Sequence, residues 1–392
     1  MHNSLFINEN LDKQSYSEEV LKGIRETTNL IEAINYSDLY KLLGKYEFEE
    51  YIKKTIKNNN VELLFFGIGA GMIIDIFFIK ELSENYQVKI ITGFPDSEHL
   101  FEDIDRYYAQ TADIVWVGNP ALGKIFNIYG LPTFCSQGFD TNIYKKQVLD
   151  KTIDVSFTGG INRGNRKEYI NFLNSNGINV ELAGFGTKRG VISTQEKNMI
   201  ASQSKINLNF SGVLNYDRKI YQRVRQLKGR PLEISLLGSF VLSENASGLE
   251  DLLSIGNEID VFHSKEELLT KIKFYLKNNE IRESMASKAS KKAHSLYEIS
   301  FVVSKLLDKL AQEEKTYKTY YLDLQFSRLF TSARFYYLTQ SFMRGNFKSM
   351  IKEIHAIYLY RGIRAKNFYY DIPRAFYHFF RDLLVKNKVG FE

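Results

Sequence analysis

The hydrophobic pattern changes period several times along the chain, and each change marks an element. Residues 15–58 carry Val20, Ile24, Leu30, Ile34 and Leu42 among charges, a spacing that predicts helices. Val61–Gly67 (VELLFFG) then runs almost without polar interruption, as a strand covered on both faces of a parallel sheet does. Gly67-Ile-Gly-Ala-Gly71 opens a predicted helix through Leu82, followed by predicted strands at Val88–Thr92 and Asp113–Gly118 and a helix over Ala121–Tyr129. The alternation resumes with strands at Ile153–Phe157, Asn179–Ala183 and Ile206–Phe210, and a helix from about Arg166. Strands alternating with helices predict doubly wound α/β sheets.

Lys228–Leu253 (KGRPLEISLLGSFVLSENASGLEDLL) organises the second half of the chain. It predicts a helix over Pro231–Leu237, a turn at Gly238, a strand over Ser239–Ser243, and a loop feeding a second helix. Pro231 suits the first helical turn, where its missing N–H would find no partner. Lys228 and Arg230 sit at the head of that helix, and cations there make a place for phosphate. Glu233, one turn further in, can accept two hydrogen bonds from a ribose diol. Asn245-Ala-Ser247-Gly248 makes a tight loop whose amides can face an anion, and Leu249 begins the next helix. The surface suits a nucleoside diphosphate and what it carries.

These residues resemble a known pattern. Arg230-x-x-Glu233, Gly238, a buried strand, a polar loop and Gly248-Leu-Glu-Asp-Leu252 resemble the donor-binding segment of GT-B glycosyltransferases of the group 1 type, and most nearly its CgeB-like branch. Ser204–Asn209 upstream and Ser264–Leu269 downstream support the resemblance, which covers roughly residues 150–312. It implies two facing Rossmann-like domains and a nucleotide sugar, UDP- or GDP-linked, as co-substrate, with no further cofactor; no aspartate-rich motif is visible, so no metal is expected. The implied acceptor is a glycan, a lipid-linked sugar or a protein, in cell-surface polysaccharide or glycoprotein biosynthesis. An aspartate of the family faces the acceptor near Gly93–His99, which makes Asp96 and His99 candidates for a base or an acceptor contact; alone, they read more simply as a turn Asp and a solvated His. Many group 1 transferases place a glutamate where this chain has Arg225, eight residues before Glu233, so their catalytic detail does not transfer.

A second glycine loop, Thr158–Asn165, follows the first strand of the donor half, with Arg163, Arg166 and Lys167 near the next helix start. Its position favours Gly160 and Arg166 as pyrophosphate contacts over a plain surface turn. Lys205 precedes its strand, away from the ligand edge, and is read as structural. The Gly67-x-Gly69-x-Gly71 run invites a competing reading, an NAD-dependent Rossmann oxidoreductase. The full fingerprint needs a glycine where Met72 stands, and Ile90-Ile-Thr-Gly93 supplies no acidic strand end, so a strand-to-helix turn lining a cleft fits better.

Three regions are expected: a Rossmann-like acceptor-side domain over 1–150, a nucleotide-sugar domain over 151–314, and an extension over 315–392, with the hinge near 131–152. The single cysteine, Cys135, excludes an internal disulfide framework and suits a reducing cytoplasm. The N-terminal MHNSLFINENLDK lacks signal-peptide features, and the apolar run Met72–Ile79 is short and broken by Asp75. A cytoplasmic protein is therefore expected, peripheral to the inner face of a membrane if the extension docks there. The net charge of +6 is uneven: residues 315–392 hold 14 Lys/Arg against 5 Asp/Glu and 20 aromatics. Aromatic–basic interleaving can stack nucleic acid, lie on an anionic membrane, or pack back on the first domain. It also keeps open a non-enzymatic binding module. No nucleic-acid partner is expected, because no RNA-binding signature accompanies the interleaving. The expectation is partial packing on the first domain, with a basic, aromatic face left for an anionic membrane.

Overall fold

The computed structural model describes residues 1–9, 11, 16–68, 74–95, 97–212, 225–313, 337–339 and 341–361. Two parallel sheets organise it. The first has the order β2-β1-β3-β4-β5-β6, from β1 (Asn3–Asn8), β2 (Asn29–Asn35), β3 (Leu63–Gly67), β4 (Lys89–Phe94), β5 (Ile114–Val117) and β6 (Thr133–Cys135). Its helices are α1 (Tyr16–Thr27), α2 (Tyr36–Leu43), α3 (Lys45–Asn59), α4 (Ile76–Asn85), α5 (Ser97–Leu100), α6 (Arg106–Ala109) and α7 (Pro120–Ile128), with a π-helical turn over Phe101–Asp105. Leu64 and Phe66 on one face of β3, Leu63 and Phe65 on the other, are all buried, which explains its unbroken apolar run.

The second sheet has the order β11-β10-β9-β7-β8, from β7 (Ile153–Thr158), β8 (Val180–Ala183), β9 (Ser204–Asn209), β10 (Val241–Glu244) and β11 (Asp260–Phe262). Around it lie α8 (Arg166–Ser175), α9 (Thr194–Gln203), α10 (Arg230–Leu236), α11 (Leu249–Leu252), α12 (Lys265–Lys277) and α13 (Asn279–Leu296). The helix–turn–strand–helix order expected of Lys228–Leu253 is present, with Gly238 at φ +70° making the turn. Lys205 pairs with Asp154 at 2.6 Å at an exposed site.

Two expectations need correction. Residues 15–58 are not helical throughout, because β2 lies inside them. Leu30 and Ile34 are four apart, which places them on one face of a helix but equally on one face of a strand, and this half-exposed edge strand offers no clean alternation. The second correction concerns α14 (Ile299–Gln312), the last helix of the stretch expected as the donor domain. Its Ile299, Val302, Val303, Leu306 and Leu310 pack with Phe6, Val20, Ile24 and Trp116 in the first domain's core. The approach to α1 is close: a Cβ on Gly23 would stand 2.7 Å from Ile299 Cγ1.

Of the 315–392 extension, residues 337–339 and 341–361 are described, and they rest on the first domain. Tyr337 is buried in its core, Arg344 donates to the Leu43 carbonyl at 2.8 Å, and Glu353 reaches Lys45. Residues 315–336, 340 and 362–392 of the extension fall outside the described residues. Helix α15 (Phe347–Arg361) turns Ser349 and Glu353 inward and leaves Phe347, Ile351 and Ile354 exposed on one stripe. No described helix is long and apolar enough to cross a membrane.

Candidate functional site

The carboxyl ends of the first sheet face a cavity of about 460 Å³, which Lys228, Gly229 and Glu233 of the second domain close from the other side. Strand ends contribute Asn8, Gly67, Gly93 and Gly118, and α1 contributes Tyr16 and Val20, so an edge where α/β sheets take ligands is shared between two domains. The seam is held by polar contacts. Glu98 Oε1 accepts from Asn119 Nδ2 at 2.9 Å and from the Leu227 amide at 3.0 Å, bridging α5 to the donor segment. Lys124 pairs with Asp251 at 2.9 Å. Gly248, at φ +93°, brings its backbone against Asn119: a Cβ there would stand 2.3 Å from Asn119 Oδ1.

At the loop that ends β7, guanidinium groups gather. Arg166 is buried, donates to the Gly160 carbonyl at 2.8 Å and lies 5.6 Å from the Phe157 ring centroid. Arg230 reaches the same loop, since a Cβ on Gly159 would stand 3.2 Å from its Nη1. The Nε atoms of both arginines are buried without a hydrogen-bonding partner among the described residues. Burial, and then the charges of Arg230 and Arg163, push the Arg166 guanidinium down to about 10. Like charges held together with unmet donors are relieved by an anion, and two phosphates would supply it.

Glu233 sits one turn into α10 and is mostly buried. Lys197 of α9 donates to its Oε2 at 2.9 Å. Burial alone would raise the carboxyl, but Lys197 and Arg230 outweigh it and hold Glu233 below the ordinary carboxylate value.

The remaining expected residues divide. Arg166, Gly160 and Arg230 meet at one loop, and Lys228 and Glu233 meet at the cavity. In the loop after β10, the Asn245 amide bonds to the Phe262 carbonyl, Ser247 is exposed, and the Gly248 amide bonds to Glu250. Leu249 is buried in the second domain's core, so its side chain serves packing. Asp96 and the His99 side chain lie outside the described residues; the His99 backbone belongs to α5.

Three residues at the site escape a sequence reading. Buried Glu244 ends β10, accepts from the amides of Ser211 (2.8 Å) and Gly212 (3.0 Å), and pairs with Arg225 at 2.8 Å, which gives the departing Arg225 a structural reason. A carboxylate closing an apolar strand was its visible signal. Buried Glu19 of α1 accepts from the Asp140 amide at 2.7 Å and the Tyr144 hydroxyl at 3.2 Å, and burial with nearby Glu233 pushes its carboxyl up to about 7 despite those bonds. Lys197 is the third, and nothing in its local sequence marks it.

Two facing Rossmann-like α/β domains with the site at their seam define the GT-B fold. Solved structures agree: the Anabaena protein HepE in complex with UDP is 13% identical, with 79% of this chain and 100% of that one covered at a TM-score of 0.60. Sucrose-phosphate synthase from Thermosynechococcus elongatus is 10% identical (80% and 100% covered, TM-score 0.57). A glycosyltransferase from Rickettsia africae is 11% identical (80% and 99% covered, TM-score 0.57). Such identities establish the fold. A family described as glycosyl transferase-like matches residues 166–308, which spans α8 to α14 and contains the donor segment. No curated protein matches the sequence. The chain thus has the GT-B fold, and its residues 166–308 match a glycosyl transferase-like family.

Proposed function

We propose that this chain transfers a sugar from a UDP- or GDP-linked donor to a glycan, lipid-linked or protein acceptor, without a metal. The observation that carries the reading is the pair Arg166 and Arg230, whose Nε atoms are buried without a partner among the described residues, with Arg230 acting on Glu233 at the interdomain cavity. Arg166 and Arg230 hold the diphosphate, Lys228 adds charge, Glu233 takes the ribose diol, and the Asn245–Gly248 loop borders the sugar. Catalysis then consists of positioning and of stabilising the departing diphosphate with fixed cations, the part a metal plays elsewhere. HepE in the same fold is seen with UDP and with UDP-glucose, which supports the donor class. Asp96 and His99 are kept as candidates for a base or an acceptor contact, on the resemblance alone. The order of motifs in the donor segment supports the CgeB-like branch and a cell-surface glycan pathway, in a cytoplasmic protein whose extension touches an anionic membrane through the exposed stripe of α15.

Calorimetric titration with UDP, GDP and NAD(H) tests the reading. Binding of a nucleoside diphosphate alone is expected. Binding of NAD(H) would favour the oxidoreductase, and binding of neither would leave a non-enzymatic module. Screening nucleotide sugars for slow hydrolysis then identifies the donor.

A further inference from the structure

Lys197 stands in the first turn of α9, a helix capped by Ser193 and leading into β9. Because α9 runs against β9, its N-terminal turn lies at the ligand edge of the second sheet. Its ammonium does three things there. It donates to Glu233 Oε2 at 2.9 Å; it lies 5.6 Å from the centroid of the Tyr144 ring; and it acts electrostatically on Glu19, a carboxylate of the other domain. Tyr144 donates to that same Glu19, and Asn198, the neighbour of Lys197, donates to the Ile143 carbonyl at 2.9 Å. The groups whose charges act on this cluster come from every side: Glu19 from α1, Tyr144 from the hinge, Lys197 from α9, and Arg230 with Glu233 from α10.

We propose that Lys197 is a positioning residue of the donor site: it neutralises and orients Glu233 for the ribose diol and ties that carboxylate to the interdomain hinge. The inference rests on the donor reading above. Glu233 is mostly removed from water and stands near a second carboxylate, Glu19. Both conditions favour a protonated carboxyl, and a protonated Glu233 could accept from one ribose hydroxyl but would present its own O–H toward the other. Lys197 reverses that balance from outside the helix that carries Glu233. It makes no claim on the sugar or the reacting atoms.

The test is nucleotide titration of the full chain, by calorimetry at pH 6 and pH 8, for the wild type, Lys197→Met, Lys197→Arg and Glu233→Gln, using whichever of UDP and GDP the wild type binds. Removing the ammonium lets the Glu233 carboxyl titrate at higher pH, so its charged form is lost as pH falls. Lys197→Met is expected to bind roughly tenfold more weakly at pH 8, the factor for one charged hydrogen bond, and to lose more at pH 6. The wild type should change little across that interval, and Lys197→Arg should recover most of the affinity. An unchanged Lys197→Met, or a loss equal at both pH values that arginine does not rescue, overturns the inference: the lysine would then be an ordinary surface partner. The two readings separate cleanly. If Glu233→Gln weakens binding and Lys197→Met does not, the inference alone fails. If Glu233→Gln binds like the wild type, or the wild type binds neither nucleotide, the ribose site itself is wrong and the role of Lys197 goes with it.

Discussion

Lys45 and Glu353, 308 positions apart, meet at 2.7 Å in a buried ion pair. The same ammonium lies 2.7 Å from Asp75 and 3.8 Å from Glu49, and Tyr46 donates its hydroxyl to Glu353 at 3.1 Å. The extension is thus fastened to the first domain by charge within the protein. Removing one partner strands the others away from water. Lys45→Met should cost about 3–5 kcal/mol in urea unfolding and expose residues 337–361 to limited proteolysis. A loss below about 1 kcal/mol, the range of a surface pair, would mean that water reaches the cluster.

Glu19 supplies a pH signature. Its folded value of about 7 lies above the unfolded value of 4.5, so the folded state holds the proton more tightly. Stability is then greatest below the unfolded value and falls as pH rises from 4.5 through 7. Glu19→Gln keeps an acceptor for the Asp140 amide and removes the titration. It should match the wild type at pH 4 and exceed it by on the order of 1–3 kcal/mol at pH 8. Thermal unfolding at the two pH values checks the sign, and a variant that is weaker at pH 8 would show that the charged form is the one the hinge needs.

Glu233→Gln should keep the fold and weaken nucleotide binding by about 1–3 kcal/mol. If Arg230 holds the diphosphate as proposed, the charge it meets grows as the bond to the sugar breaks, so in Arg230→Ala kcat should fall more than the donor KM rises. Steady-state kinetics with the identified donor separates the two. A change confined to KM would make Arg230 a binding residue and nothing more.

Gly248 is irreplaceable for two reasons at once. Its φ of +93° disfavours a side chain, and a methyl group would displace the Asn119 Oδ1 that caps α7 through the Ala121 amide. Gly248→Ala should cost about 2–3 kcal/mol, one part from the backbone and one from the lost cap. Because the strain falls on the domain seam, nucleotide affinity should drop with it. A thermal midpoint equal to the wild type's would show that the seam gives way easily.

The outer stripe of α15 tests the membrane contact. Phe347, Ile351 and Ile354 are 67%, 64% and 49% exposed, and Lys348 and Lys352 lie on the exposed surface beside them. Co-sedimentation with phosphatidylglycerol vesicles should weaken as salt rises, since such attraction fades within about 10 Å at 0.1 M. Lys348→Glu with Lys352→Glu should lower the affinity by about 2 kcal/mol or more, at about 1 kcal/mol for each lost cation. A protein that ignores these vesicles at low salt places the stripe against another protein instead.

What the sequence made legible is local. Val61–Gly67 announces a buried strand because both of its faces are apolar, and Pro231 through Ser243 announces a helix, a glycine turn and a strand because all three are written in adjacent residues. β2 stayed hidden because Leu30 and Ile34 satisfy two periods at once. Lys197, Glu19 and Glu244 stayed hidden because their meaning lies in partners 36, 121 and 33 positions away. A surface lysine, a helical glutamate and a strand-end glutamate look alike in sequence until the fold brings their partners to them.

Helix α14 imposes an order in time. Val20, Leu21 and Ile24 on α1 are covered by residues 299–310, so the first domain's core waits for the end of the second. At about 5–20 residues per second, a growing chain keeps that face of α1 uncovered for roughly 15–60 s. Through that interval the nascent protein presents an apolar surface to chaperones and to its own neighbours, even after β6 has completed the first sheet. A fragment ending at residue 150 would carry this state permanently, and should associate or be degraded where the full chain does not.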